Sequence, residues 1–146
     1  MQHSWSEVEL AYFAGIVDGE GSFVLHRHKH GYRFSCQLQV GNTDVRLLEW
    51  IRARFGGSVN LEKRHNIKHK PVYRWVGQSS NLSDVIGGIL PYLIAKKDQA
   101  ELMLAYRRTL PPMIRTKRST NDVPEHVKTE RIRIHSSLAI LNRRGA

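Results

Sequence analysis

A single cysteine, Cys36, among 146 residues excludes an internal disulfide and any zinc site built on cysteines. No stretch approaches the roughly 18 consecutive apolar residues that a bilayer-crossing helix needs, and the first residues lack the layout of a secretion signal. No internal repeat is found. Acidic residues are scarce, 13 against 23 Lys and Arg, which leaves a formal charge of +10. What is present is ordinary for a globular chain: 40% hydrophobic and 25% charged residues. The length suits one domain over 1–146, with a core to residue 110, a connector over 111–124 and a last helix over 125–143.

The charge excess points to a polyanionic partner, because each phosphate neutralised by Lys or Arg releases condensed counterions. Nucleic acid is favoured over an anionic membrane surface. Charge alone does not separate DNA from RNA.

Ser6-Glu7-Val8-Glu9 has the form of a capping box, followed by an apolar stripe of Leu10, Phe13, Ile16 and Val17 at helical spacing. Gly19 and Gly21 close this helix. A hairpin follows, turning near His30 and Gly31. Its second strand alternates Phe34, Cys36, Leu38 and Val40 on one face with Arg33, Ser35, Gln37 and Gln39 on the other. Residues 44–55 read as a helix with Val45, Leu48, Ile51 and Phe55 inward, stopped by Gly56-Gly57. Residues 58–64 and 71–78 read as a second hairpin, with Val59, Leu61, Tyr73 and Trp75 inward. Helices are expected from Asn81 to Ile94, from Asp98 to Thr109 and from Glu125 to Arg143. The resulting class is α/β (α+β), with four antiparallel strands of about nine residues, each roughly 30 Å long. That length is close to one turn of B-DNA.

Residues 13–21, Phe-Ala-Gly-Ile-Val-Asp-Gly-Glu-Gly, join small residues on a helix to an acid at its tip. The run resembles the signature of the LAGLIDADG homing endonucleases, with Phe13 in the first leucine position and Glu20 in the final acidic position. The resemblance extends from about Val8 to Tyr106 and implies an αββαββα fold with a saddle-shaped DNA-binding sheet. It implies Glu20 as metal-binding catalytic acid, with Gly19 beside it at the metal. Phe13, Ala14, Gly15 and Asp18 fall at the interface between two copies. Gly15 and Gly19, at i and i+4, suit close helix contact. The motif occurs once, so the resemblance implies a homodimer that brings two copies of Glu20 together.

Gln39-Val-Gly-Asn-Thr-Asp-Val-Arg resembles the segment that organises active-site water, which implies that role for Asn42 and Arg46. Pro91-Tyr-Leu-Ile-Ala-Lys-Lys resembles the junction carrying a catalytic lysine, matching Lys96, with Lys97 one step away. The sequence departs from the family pattern twice: Glu20 replaces a common Asp, and Asn42 stands where a longer Gln is frequent. A carboxylate at this place suits Mg²⁺, with Mn²⁺ or Ca²⁺ as other occupants.

Sequence reading of the partner is expected from outward strand positions: Ser22, Val24, His26, His28, His30, Arg33, Ser35, Gln37 and Gln39 in the first hairpin. Asn60, Glu62, Arg64, Arg74 and Gln78 extend this surface in the second, and Arg115 and Lys117 reach flanking phosphates. His26, His28 and His30 share one strand face, so zinc binding stands as an alternative to DNA contact. Trp5, Trp50 and Trp75 read as packing residues. The expected activity is Mg²⁺-dependent cleavage of double-stranded DNA at a pseudo-palindrome of about 20 base pairs, two helical turns. Such a protein works inside a cell with DNA, in the cytoplasm or nucleoid, from a bacterial, phage or organellar source, with no membrane partner. A non-cutting binder on the same scaffold, an RNA maturase or a DNA-binding regulator, is the competing expectation.

Overall fold

Ser6 starts the first helix as its sequence suggests. A computed structural model of the chain describes residues 4–29, 34–62, 70–110 and 123–144. Helix α1 (Glu7–Glu20) opens with Ser6 Oγ accepting from the Glu9 N–H at 3.1 Å. Only half of the capping box forms. The Glu9 carboxylate leaves Ser6 and accepts instead from the guanidinium of Arg54, which ties α1 to α2.

Strands β1 (Gly21–Arg27), β2 (Phe34–Asn42), β3 (Ser58–Leu61) and β4 (Tyr73–Val76) form one antiparallel sheet in the order β1-β2-β4-β3. Between the hairpins lies α2 (Val45–Phe55); α3 (Leu82–Ile89), α4 (Lys97–Arg108) and α5 (Glu125–Arg144) follow. A 3-10 turn, Ser79–Asn81, leads into α3. The order αββαββα and the mixed class stand as expected from the sequence.

Strand length is the main departure. The second hairpin holds four residues in each strand instead of about nine. One further backbone bond, from Glu62 N–H to the Val72 carbonyl at 2.8 Å, extends the ladder. Leu61 is expected inward but is 60% exposed, at the end of β3, the edge strand of the sheet. Helix α3 was expected to reach Ile94 and ends at Ile89. Pro91 follows in a 3-10 turn, Leu90–Tyr92, since its ring cannot sit in a helix interior.

The inner sheet face and the helices share one core. Phe13 of α1 stacks on Phe55 with ring centres 4.4 Å apart and meets Trp75 edge-on at 5.5 Å. Trp5 donates its indole N–H to the Arg54 carbonyl at 2.8 Å and leans on Phe55. The packing role read for the tryptophans is what the structure has. Gly56 and Gly57 turn the chain from α2 into β3 at φ 77° and 92°. A Cβ on Gly57 would lie 2.4 Å from the Val76 carbonyl oxygen, so only glycine fits.

The last helix is tied down by polar contacts. Arg131, buried, donates to the Thr109 hydroxyl and carbonyl at 2.9 Å each, capping the end of α4. Tyr106 accepts from the Phe34 N–H at 2.7 Å and donates to its carbonyl at 3.0 Å, standing where a neighbouring strand would. Asn142 donates to the Phe23 carbonyl at 2.9 Å, joining α5 to β1. Burial pushes the Cys36 thiol up to about 11, a rise that nearby Arg107 partly offsets.

Removing the central aromatic should cost the fold heavily. Phe13→Ala is expected to destabilise the chain by about 3–5 kcal/mol through lost burial and the cavity it leaves. Urea unfolding followed by circular dichroism measures this.

Candidate active site and nucleic-acid face

Helix α1 ends with two acids and no base in its last turn, the unfavourable sign for a helix C-terminus. Partners from the start of α4 resolve the conflict. The Asp18 carboxylate accepts from the backbone N–H groups of Ile94 at 2.8 Å, Ala95 at 3.1 Å and Lys96 at 3.0 Å. In return the Lys96 ammonium donates to the carbonyls of Val17 at 3.2 Å, Asp18 at 3.1 Å and Gly21 at 2.7 Å. An ammonium has three donors, and all are spent on the end of α1. Asp18 thus holds the bend that leads into α4, and Lys96 donates to the carbonyls at the end of α1.

Glu20, one turn-step beyond this lock, is exposed and has no hydrogen bond or ion pair among the described residues. Its carboxylate opens onto a polar cleft of about 540 Å³ on the outer sheet face, shared with Ser22, Gln39, Gly41, Asn42, Thr43, Glu62, Val72 and Arg74. The Asn42 amide oxygen accepts from the Asp44 N–H at 2.8 Å, which leaves its NH₂ for other partners. Arg74 donates to Gln39 at 2.7 Å and to Glu62 at 2.9 Å, and Gln39 in turn donates to Gln37. A free carboxylate beside carbonyl oxygens is a hard-oxygen donor set, which fits Mg²⁺ with waters completing its shell. Lys96 leaves the Gly19 carbonyl, the second expected donor, untouched.

Arg46 lies elsewhere. Asp44 caps α2 by accepting from the Arg46 N–H, and the Arg46 guanidinium folds back on the same carboxylate at 3.0 and 2.7 Å. The Arg46 side chain is 88% exposed and borders a separate groove with Tyr12, Leu47 and Trp50. Within one chain it does not join Glu20 in the cleft. The guanidinium holds the Asp44 carboxyl down at about 2, well below its ordinary value.

Of the four interface residues read from the motif, Gly15 lies on the open side of α1, and the other three are engaged within the chain. Phe13 and Ala14 are wholly buried in this chain's own core, so their side chains are closed to a second copy. Asp18 is engaged by the backbone at residues 94–96. The open side of α1 carries Val8 (79% exposed), Tyr12 (54% exposed), Gly15 and Gly19. A Cβ built on either glycine meets no atom within 4 Å. Helical periodicity placed Phe13 on the apolar stripe, and that stripe turned out to be the core side.

On the outer sheet face Ser22, Val24 and His26 pair in register with Gln39, Gln37 and Ser35. These residues, with Asn60 and Arg74, occupy the expected surface. His28 falls past the end of β1 and shares a hydrogen bond with Ser35 at 2.7 Å. Gln78 falls past β4, and its amide oxygen sits beside Gly56 at the end of α2 rather than over the sheet. Among the described residues no three His, Cys, Asp or Glu side chains gather as a metal cluster. His30, Arg33, Arg64, Arg115 and Lys117 lie outside the described residues. Gly41 and Thr43 went unread in the sequence, although a glycine breaking the alternation of β2 was a signal available there.

Among the described residues no helix is long and apolar enough to cross a membrane. The sheet, its polar outer face and the acid-tipped helix match known proteins. Residues 13–103 match the LAGLIDADG endonuclease family model, and the chain belongs to that family. The homing endonuclease I-CvuI, crystallised with its DNA target in the presence of 2 mM Ca, has the same fold at TM-score 0.66 and 25% identity, over 92% of this chain and 82% of that one. I-AabMI, a LAGLIDADG meganuclease bound to uncleaved DNA, matches at TM-score 0.63 and 18% identity, over 88% of this chain and 44% of its own. Among curated proteins, the intron-encoded RNA maturase bI4 of Saccharomyces cerevisiae is 38% identical over 50 residues, 34% of this chain. The match spans 7% of that maturase's length.

Two outcomes follow from the helix-end geometry. Lys96→Met is expected to destabilise the chain by about 1–3 kcal/mol, because the Val17, Asp18 and Gly21 carbonyls lose a charged donor. Thermal unfolding of the two proteins at neutral pH checks it. The Asp44 carboxyl is depressed from 3.8 to about 2, so its support for the start of α2 is full above the ordinary value and lost as pH falls through about 2. Carboxyl-carbon NMR should give Asp44 a midpoint near 2, returning toward 3.8 in Arg46→Ala.

Proposed function

We propose that the chain is a site-specific DNA endonuclease, acting as a homodimer on a pseudo-palindromic duplex of about 20 base pairs. The observation that carries this is the Glu20 carboxylate, free of partners among the described residues and open to a polar cleft on the sheet. A binding protein has no need of an unpaired acid beside a phosphate surface, where it repels the partner. Mg²⁺ bound there would supply an activated water and charge stabilisation at the leaving oxygen. Glu20 would hold the ion, with the Gly19 carbonyl beside it. Asn42 would orient water through its free NH₂. Lys96 would act by holding the helix end, and with it Glu20, in place.

One carboxylate per chain is few for this work, and the open side of α1 supports supplying the second from another copy. Val8 and Tyr12 expose apolar surface there, and Gly15 and Gly19 leave room for close backbone approach. The fold occupies less than half of the I-AabMI chain, so two copies here would approach the size of that relative. Arg46, exposed near this side of α1, is better placed to serve across the pair than within its own chain. The formal charge of +10 on each copy predicts binding that weakens steeply with salt.

The similarity to an RNA maturase favours a second reading, an RNA-binding splicing helper on the same scaffold. Both readings accommodate an intron-encoded origin and a basic surface. The unpaired Glu20 favours the endonuclease.

Cleavage selection on a library of DNA duplexes with Mg²⁺ is expected to return a pseudo-palindrome cut on both strands. Glu20→Gln should abolish cutting and keep binding to that site. Protection or splicing of RNA, with no duplex cut, would replace the endonuclease by the maturase. Gly15→Leu, at a position where an added Cβ meets no packed neighbour within 4 Å, should preserve the fold and break the dimer, as read by sedimentation.

A further inference from the structure

Arg74 sits in the middle of β4, between Gly41 on β2 and Asn60 on β3. The β1–β2 register begins with Gly21 opposite Val40, and Glu20, the last residue of α1, lines the same cleft as Gly41 and Arg74. Gly41, Arg74 and Asn60 form one row across the sheet, and Glu20 stands where β1 begins, at the row's β1 end. Glu20 and Arg74 stand two strand spacings apart, about 10 Å. At about 3.4 Å per base step, that is about three base pairs. Gly41, which lies between them, has no side chain.

That gap is not demanded by the fold. A Cβ on Gly41 would meet only the Tyr73 carbonyl oxygen and Val72 Cγ1, both at 3.8 Å, an ordinary contact. Glycine inside a strand weakens it, and where packing does not require it, it marks a close approach by a ligand or another backbone. Here the missing side chain keeps the cleft open between the acid and the guanidinium.

The guanidinium is held on both sides. Nη1 donates to Gln39 Oε1 at 2.7 Å and Nη2 to Glu62 Oε1 at 2.9 Å, while Gln39 is itself held by Gln37. This network crosses β2, β4 and the end of β3. Two of the five N–H groups of an arginine are used in this way. A guanidinium fixed in plane, with donors to spare, matches the O6 and N7 acceptors of guanine in the major groove. A phosphate contact needs no such alignment, and Glu62 beside Arg74 disfavours one by its charge.

We infer that Arg74 is a specificity-determining residue that reads a guanine within about three base pairs of the phosphate served by Glu20, that Glu62 and Gln39 position its guanidinium, and that Gly41 is the gap admitting the duplex. Glu62, expected from the sequence to touch DNA itself, acts through Arg74. This rests on the DNA-cutting reading above, and it names the base that the central part of each half-site must carry.

The test is a metal-free binding selection of the full chain on randomised duplexes, repeated with Arg74→Gln, Arg74→Lys and Glu62→Ala, with the cut positions mapped separately in Mg²⁺. Circular dichroism checks that each variant folds. The parent chain is expected to select one guanine per half-site within about three base pairs of the cut. Arg74→Gln should lower that preference roughly tenfold or more, and Glu62→Ala should lower it partly, with preferences further out retained. Arg74→Lys, which keeps the charge and loses the fork, should resemble Arg74→Gln at that position. Equal loss of affinity for all sequences would make Arg74 a phosphate contact and overturn the inference. So would an unchanged profile in the variants, which would leave the endonuclease reading standing. A parent chain that selects no duplex would overturn both.

Discussion

The end of α1 is a place where a helix is asked to finish against its own electrostatics. Asp18 and Glu20 put negative charge beside carbonyl groups that are already the negative pole of the helix, and no basic residue in the last turn answers them. The answer comes from 75 to 79 residues away, where the bend before α4 brings three backbone N–H groups to Asp18 and the Lys96 ammonium to three carbonyls. This contact fixes the end of α1 and the bend before α4 at once. It also leaves Glu20 as the one acid of the pair free to act, because Asp18 and Lys96 are consumed in holding the position. The route of β1 across the sheet, and so the row that includes Arg74, starts from this point.

The sheet then divides the labour between its faces. The inner face carries Phe23, Leu25, Leu38, Val40 and Trp75, and it is covered by the helices. The outer face carries hydroxyl, amide, imidazole and guanidinium groups in register, with cross-strand hydrogen bonds that fix some of them. A polar face of this kind on a chain of +10 suits an anionic partner. Belonging to the LAGLIDADG endonuclease family is consistent with that arrangement, and the acid-tipped helix meets the outer face at its edge.

Much of this was legible in the chain. The capping serine, the alternation along Phe34–Val40 and the glycine pair after Phe55 each impose a local geometry that tertiary contacts had no reason to override. The legible features share one property: neighbours a few residues apart decide them. Where a distant partner decides, the reading slipped. Glu9 was read as the second half of a capping box, and Arg54 took it. Phe13 was read onto an interface, and Phe55 and Trp75 close over it.

By itself the sequence determined the order of elements, the two faces of the first hairpin, the basic charge and the acid at the end of α1. Those follow from periodicity, capping and composition, all of which act over short range or over the chain as a whole. Only the tertiary structure decided which side of α1 is open, that Lys96 serves the helix end, and that Arg74 shares a cleft with Glu20 across a glycine. Each of these depends on elements that the chain brings together from far apart, and a side chain at such a junction takes its role from what is packed beside it.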